Sequence, residues 1–251
     1  VQAYSVGVLP KSTVGEWLRS SAARLPEDAL SSSSVEPSST LLEAAGRMRE
    51  HATGESEFRH LAVRDGDAGD VVGVLSALDL ARALCSAAPE EEMMRRIGSN
   101  TAEDIMKPHT ASLVCSGEAT LQQVLEQMAA SRQNCVLIAD GDLSVASLLG
   151  VVTPRDALRA FVEHVPVSVQ VGHWLHGLQS DWTLRSVDRE APVRECAERM
   201  VRGAIHHLVV VSASDIRGVL SSTDLAQAIG SAERVVDGFV PADESAEGAG
   251  A

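Results

Sequence analysis

Three stretches of the chain share one spacing of apolar positions. Leu41, Ala44 and Met48, then Leu121, Val124 and Met128, then Val193, Cys196 and Met200 each fall at i, i+3 and i+7. That spacing lines up one stripe of an amphipathic helix. Thr40 with Glu43, and Thr120 with Gln123, stand at the helix starts with capping-box spacing, and Pro192 holds the matching place in the third stretch. Each helix is followed by a β-branched run at 59–63, 133–138 and 206–211. Turn-rich segments (DGDAGD, ADGDLS, SASD) then lead to a second apolar strand beginning at Gly73, Gly150 or Gly218 and running directly into another helix. Short openings precede the three copies: TVGEWL at 13–18, TAEDIM at 101–106 and QVGHWL at 170–175. The pattern predicts an α/β (α+β) fold in which one β-α-β-β-α unit is used three times, each with a small three-stranded sheet and two helices.

The copies are expected at residues 11–88, 99–165 and 167–233. Copy one carries a Ser/Pro-rich insertion at about 24–39, expected as a surface loop. The acidic, small-residue end at 234–251 is expected to be a disordered tail.

Composition removes several functions. A formal charge of −14 argues against a nucleic-acid or anionic-membrane binder. No apolar run approaches the roughly 20 residues that span a bilayer. Cys85, Cys115, Cys135 and Cys196 are scattered, with no metal-binding or disulfide spacing. Cys196, on the apolar side of a helical pattern, and Cys135, in a strand pattern, read as small buried hydrophobes, which suits a reducing, intracellular setting, either cytosol or an organelle entered after removal of a transit peptide. His173 and His176 have no third ligand nearby and read as structural. No metal or prosthetic group is expected. The phosphate-loop, dinucleotide, zincin and nucleophile-elbow motifs are all missing, so no enzymatic activity is expected.

The chemistry-bearing phrase is the strand-to-helix junction, GVLSALD, GVVTPRD and GVLSSTD. Its carboxylates, Asp79, Asp156 and Asp224, can accept hydrogen bonds from two vicinal sugar hydroxyls. The hydroxyl three residues earlier (Ser76, Thr153 or Ser221) can donate to a phosphate, and the helix N-terminus favours an anion. Arg155 can reach a phosphate or simply sit in solvent. Ordinary helix capping explains the same Ser/Thr-x-x-Asp spacing, so both readings stay open.

With the DIM-like opening at Asp104–Met106, the Met-bearing helix, the H-x-L-V-V strand and the G-h-h-[ST]-x-x-D ending, the chain resembles the CBS domain, the cystathionine-β-synthase-type module. The resemblance covers about residues 11 to 233, and the third copy looks like the last repeat of the gamma subunit of AMP-activated protein kinases. It implies tandem CBS repeats paired sheet to sheet into Bateman-type modules, whose clefts hold AMP, ADP, ATP or S-adenosylmethionine. It further implies that His206 and His207 contact phosphate; copy one offers Arg59 and His60 there, and copy two the uncharged Gln133 and Asn134. The expected function is a non-catalytic regulatory module that binds an adenine nucleotide and signals to a partner protein, with copy three as the favoured site. The alternative is a scaffold or assembly subunit that keeps the fold without the ligand. Copies two and three are expected to pair within the chain. Copy one would then be covered by a partner protein or by a second chain.

Overall fold

The structure, a computed structural model, describes residues 33–50, 59–65, 70–87, 94, 97, 99–178 and 185–231. The opening at 13–18, most of the 24–39 insertion and the 234–251 tail lie outside the described residues.

Copy one runs β1 (Ser34–Val35), α1 (Leu41–Glu50), β2 (His60–Arg64), β3 (Val71–Ser76) and α2 (Ala77–Ser86). Copy two opens with α3 (Ala102–Ile105) and β4 (Lys107–Pro108). It continues as β5 (Leu113–Cys115), α4 (Leu121–Ser131), β6 (Val136–Ala139), β7 (Leu148–Val152) and α5 (Pro154–Val162). Copy three opens with α6 (Val171–Gly177) and continues as β8 (Ser186–Asp188), α7 (Val193–Gly203), β9 (His207–Ser212), β10 (Asp215–Ser221) and α8 (Ser222–Ser231). The β-α-β-β-α order therefore recurs three times. One expectation needs correction: the Ser/Pro-rich segment is not all surface loop, because Ser34–Val35 pairs in parallel with Ala62–Val63 and supplies the first strand of copy one.

The helix stripes of copies two and three are buried as their spacing predicts, whereas in copy one Ala44 and Met48 are buried and Leu41, at the first turn, is 41% exposed. Met48, Met128 and Met200 are each at most 2% exposed. Thr40 and Glu43 exchange the two capping-box bonds at 2.6 and 3.1 Å, and Thr120 and Gln123 do so at 2.9 and 3.2 Å.

Three apolar cores knit the copies together. The largest joins the helices of copy one to those of copy three, with Ala45, Met48, Leu80 and Leu84 in one body with Met200, Leu225 and Ile229. Arg194 of α7 donates to the Cys85 carbonyl of α2 at 3.1 Å across the same seam. A second core fills copy two and also takes in Val171, Trp174 and Leu175 from the opening of copy three. The third lies between sheets, with Cys135, Leu137, Leu148 and Val151 of copy two against Val209, Ile216 and Val219 of copy three. Copies two and three are thus paired sheet to sheet, and copy one is packed by its helices onto copy three.

The openings cross over. β4 of copy two adds itself antiparallel to β10 of copy three, giving the sheet order β4-β10-β9-β8. Ala102 and Glu103 donate to the carbonyls of Ala191 and Arg189 in copy three. In return, Val171 and Gly172 of copy three donate to the carbonyls of Ala119 and Gly117 in copy two. The second strands begin two or three residues before the glycine expected to start them. In copies two and three that glycine is where the crossing presses: a Cβ on Gly150 would lie 3.2 Å from Leu175 Cδ1, and one on Gly218 would overlap the Lys107 carbonyl oxygen.

Candidate functional site

All three junctions form the same local structure. Asp156 Oδ2 accepts from the Thr153 amide at 2.8 Å and its hydroxyl at 2.6 Å. Asp224 Oδ2 does so from Ser221 at 2.7 and 2.6 Å, and Asp79 Oδ2 from Ser76 at 2.9 and 2.6 Å. Each helix therefore begins with a reciprocal cap, which holds the carboxylate on the mouth of the strand–helix turn. The copies differ at the other oxygen. Arg82 takes Asp79 Oδ1 in a close ion pair. Burial works against the ionised form of Asp79, but the Ser76 hydroxyl and amide and then Arg82 overcome it and hold the carboxyl below its ordinary range. Asp156 has no such companion on its own helix and is only 9% exposed.

The sheet-to-sheet pairing of copies two and three leaves a cavity of about 270 Å³ over Asp156. Copy two supplies Val151, Thr153, Pro154, Arg155, Asp156 and Leu158 to its walls. Copy three adds Arg185, Ile205, His206 and His207, and copy one adds Arg59 and His60. An acidic chain has therefore gathered three guanidinium groups and three imidazoles at the edge of one cleft, beside a buried carboxylate and an apolar wall. Arg155 is anchored by a 2.8 Å bond from its Nη1 to the Ala204 carbonyl. With the Asn134 amide turned oxygen-inward, Arg59 donates to it and ties copy one to the start of the copy-two strand.

His206 and His207 are not standing cations. Burial, then Arg155 and Arg59, push His206 below its ordinary value. Burial, then Arg59 and His206, push His207 down to about 3. Both are neutral near pH 7, and His206 Nδ1 lies 3.1 Å from the Ser222 hydroxyl. Arg59, Arg155 and Arg185 bring positive charge to the cleft.

A second, smaller cavity of about 40 Å³ lies over Ser221 and Asp224, with Asn134, Cys135, Lys107, Arg132 and again Arg59 and His207 around it. That is space for water rather than for a nucleotide.

The sequence-predicted residues are therefore divided in a way the sequence did not show. Thr153, Arg155, Asp156, His206 and His207 come together in the larger cleft. Ser221 and Asp224 face the small cavity, so His206 and the carboxylate of its own copy do not share the large site. Ser76 and Asp79 line neither of these cavities. Strand register also corrects the match between copies. Ser221 pairs with His207 and Val152 with Val136, so the copy-two counterparts of His206 and His207 are Asn134 and Cys135, one residue further on than Gln133 and Asn134. The left-handed caps at Arg132 (φ 54) and Ala204 (φ 49) set this alignment, each two residues before the pair. Arg185 was missed; it stands alone before β8, in no repeated phrase that would mark it. The Cys135 thiol is pushed up to about 12 by burial and then by Asp156, so it behaves as the small hydrophobe its pattern implied. Among the described residues no cluster of His, Cys, Asp and Glu is arranged to hold a metal, and no helix is long and apolar enough to cross a membrane.

A family model described as CBS domain matches residues 31–86, 102–163 and 183–231. Among solved structures, an uncharacterized conserved protein from Pyrococcus horikoshii is similar at 22% identity and a TM-score of 0.57, over 76% of this chain and 75% of that one. A Methanocaldococcus jannaschii protein described as a candidate archaeal homologue of gamma-AMPK matches at 15% identity and a TM-score of 0.52, over 77% and 66%. A CBS domain protein from Pyrobaculum aerophilum, solved with AMP, matches at 25% identity and a TM-score of 0.41, over 50% and 90%. No curated protein matches the chain.

Proposed function

Because the chain belongs to the CBS domain family, we propose that it is a non-catalytic regulatory module that holds an adenine nucleotide in the cleft over Asp156. One observation carries the reading: three copies of the repeat contribute walls to one cavity that is lined by a carboxylate acceptor, Asp156, and by the cationic donors Arg59, Arg155 and Arg185. Asp156 uses Oδ2 for its helix cap, and Oδ1 is the acceptor for a ribose hydroxyl. Val151, Pro154, Leu158 and Ile205 offer an apolar slot for a base. Arg155, Arg59 and Arg185 supply charge-assisted donors for phosphate, next to the N-terminus of α5. A phosphate brought beside His206 favours its protonated form, so binding draws in a proton.

Signalling follows from where the ligand would sit. Copies one, two and three all contribute to the walls, so an occupied cleft favours the arrangement in which the three are drawn together. A partner protein that reads that arrangement receives the signal.

The scaffold reading has one observation in its favour: reciprocal caps account for all three Ser/Thr-x-x-Asp junctions with no ligand. Calorimetric titration of AMP, ADP, ATP and S-adenosylmethionine separates the two. The sensor reading expects micromolar binding of at least one (about −8 kcal/mol at 1 μM), weakened tenfold or more by Asp156→Asn and little by Asp224→Asn. Silence from all four on folded protein leaves the scaffold.

A further inference from the structure

Strand register makes one position of the repeat Arg59 in copy one, Asn134 in copy two and His206 in copy three. The backbone at that position is held alike in copies one and three: Ala77 donates to the Arg59 carbonyl and Ser222 to the His206 carbonyl, each at 2.9 Å. The three side chains gather. Arg59 lines the cleft over Asp156 together with His206, and it donates through both terminal nitrogens to the inward-turned oxygen of Asn134. Of the three, Arg59 is the standing cation, because an amide is neutral and burial pushes His206 below its ordinary value. A copy that contributes no carboxylate to the cleft therefore contributes a permanent charge.

Arg59 also stands at a boundary. Arg59 and His207 line both the large cleft and the small cavity over Asp224, whereas Thr153, Arg155 and Asp156 line the large cleft alone. The charges acting on the imidazoles keep the same order: Arg155 is foremost for His206, and Arg59 for His207. Cationic groups thus extend from the Asp156 side of the cleft to the wall it shares with the small cavity. Asp156 is the one carboxylate among the described residues that line the cleft, facing three guanidiniums. That balance suits a ligand with more negative charge than one phosphate carries. Each added phosphoryl group brings further charge and further acceptor oxygens for guanidinium forks.

Taking the cleft as the nucleotide site argued above, we propose that it selects adenosine di- and triphosphate over the monophosphate, and that Arg59 makes the selection. Asp156, Arg155 and the N-terminus of α5 all belong to copy two and suffice for a nucleoside monophosphate. A longer phosphate chain extends to the shared wall and meets Arg59. Copy one then reads the length of the phosphate chain, and the Asn134 amide holds its guanidinium in place until that chain arrives.

Calorimetric titration of adenosine, AMP, ADP and ATP, with EDTA present, into the full chain tests this. ADP and ATP are expected to bind wild type about tenfold tighter than AMP or more, the scale of one charge-assisted contact. Arg59→Gln keeps a hydrogen-bonding side chain and removes the charge. It is expected to weaken ATP about tenfold while leaving AMP within about twofold, so that the preference collapses. Arg59→Lys restores the charge without the fork and recovers part of the preference. Equal wild-type affinities for AMP and ATP overturn the selection while leaving the nucleotide site standing. So does an Arg59→Gln protein that loses AMP and ATP alike, which would make Arg59 a support for the wall. Silence from every nucleotide on folded wild type overturns the nucleotide reading itself, and the selection with it.

Discussion

The sheet of copy one and the paired sheets of copies two and three share three equivalent strands, the same bulge and the same glycine, and have opposite surroundings. Val219 is 7% exposed and its counterpart Val74 is 65%. Nothing in the local sequence of either strand accounts for that difference. In a chain built from repeats, the neighbour decides what a residue is for, and the repeat only decides where it stands. The two clefts teach the same lesson. Thr153–Asp156 and Ser221–Asp224 are capped alike, yet about 270 Å³ opens over one and about 40 Å³ over the other. The cleft over Asp156 takes His206 and His207 from the facing copy, the cavity over Asp224 takes Asn134 and Cys135 from it, and Arg59 and His207 line both.

The sharpest way to break the first comparison is to charge both faces. Val219→Asp buries a carboxylate between sheets and is expected to lower unfolding free energy by about 3–4 kcal/mol. Val74→Asp, measured by urea unfolding, is expected within about 0.5 kcal/mol of wild type. Equal losses would mean that copy one's face is covered within the chain.

The glycines give the next largest contrast. A methyl on Gly218 must displace the Lys107 carbonyl of the crossing strand, so Gly218→Ala is expected to cost about 2 kcal/mol by overpacking. Gly73→Ala meets only Val63 among the described residues and is expected to be near neutral. A matched cost at the two positions would show that something already sits against Gly73.

The cleft comparison is sharpened by pH. His207 titrates near 3 in the folded chain and near the ordinary 6.5 when unfolded, so between those values the unfolded state binds more protons. Stability due to His207 is complete above about pH 6.5 and is lost as pH falls toward 3, with a slope of at most about 1.4 kcal/mol per pH unit. His207→Cys, which writes the copy-two residue into copy three, is expected to flatten that slope; an unchanged melting-temperature profile between pH 7 and 4.5 would refute it. His206 supplies the smallest effect. Its lowered value rises when a phosphate sits beside it, so nucleotide affinity is expected to grow a few-fold as pH falls from 8 to 6. His206→Asn removes that trend in the same titrations, and a trend that persists would assign the proton elsewhere.

Much of this was readable from sequence because it is local. The stripes that bury Met48, Met128 and Met200, the caps at Thr40 and Thr120 and the strand-to-helix junctions each depend on residues within seven of one another. What was not readable depends on contacts between copies. Sequence placed His206 and His207 with Asp224 of their own copy, while the sheet pairing carries His206 to Asp156 and leaves His207 lining both cavities. It set Gln133 and Asn134 opposite the histidines, because the one-residue offset is fixed by the left-handed caps at Arg132 and Ala204, where neither residue type announces a positive φ. Ser34–Val35 was hidden among serines and prolines, since a two-residue parallel strand has no room to show a period.

The crossing of the openings has a consequence for how the chain acquires its shape. Lys107 finds its place against Val219, more than a hundred residues later, and Gly172 finds its place against Gly117. During synthesis copy two is finished as a sequence well before it can be finished as a structure: its core waits for Val171, Trp174 and Leu175, and its own first strand waits for β10. Long loops must close before these contacts repay the entropy of closing them, which makes the step slow and leaves apolar strands uncovered in the meantime. The period of the sequence is one copy, but the smallest piece that can fold cooperatively is the pair.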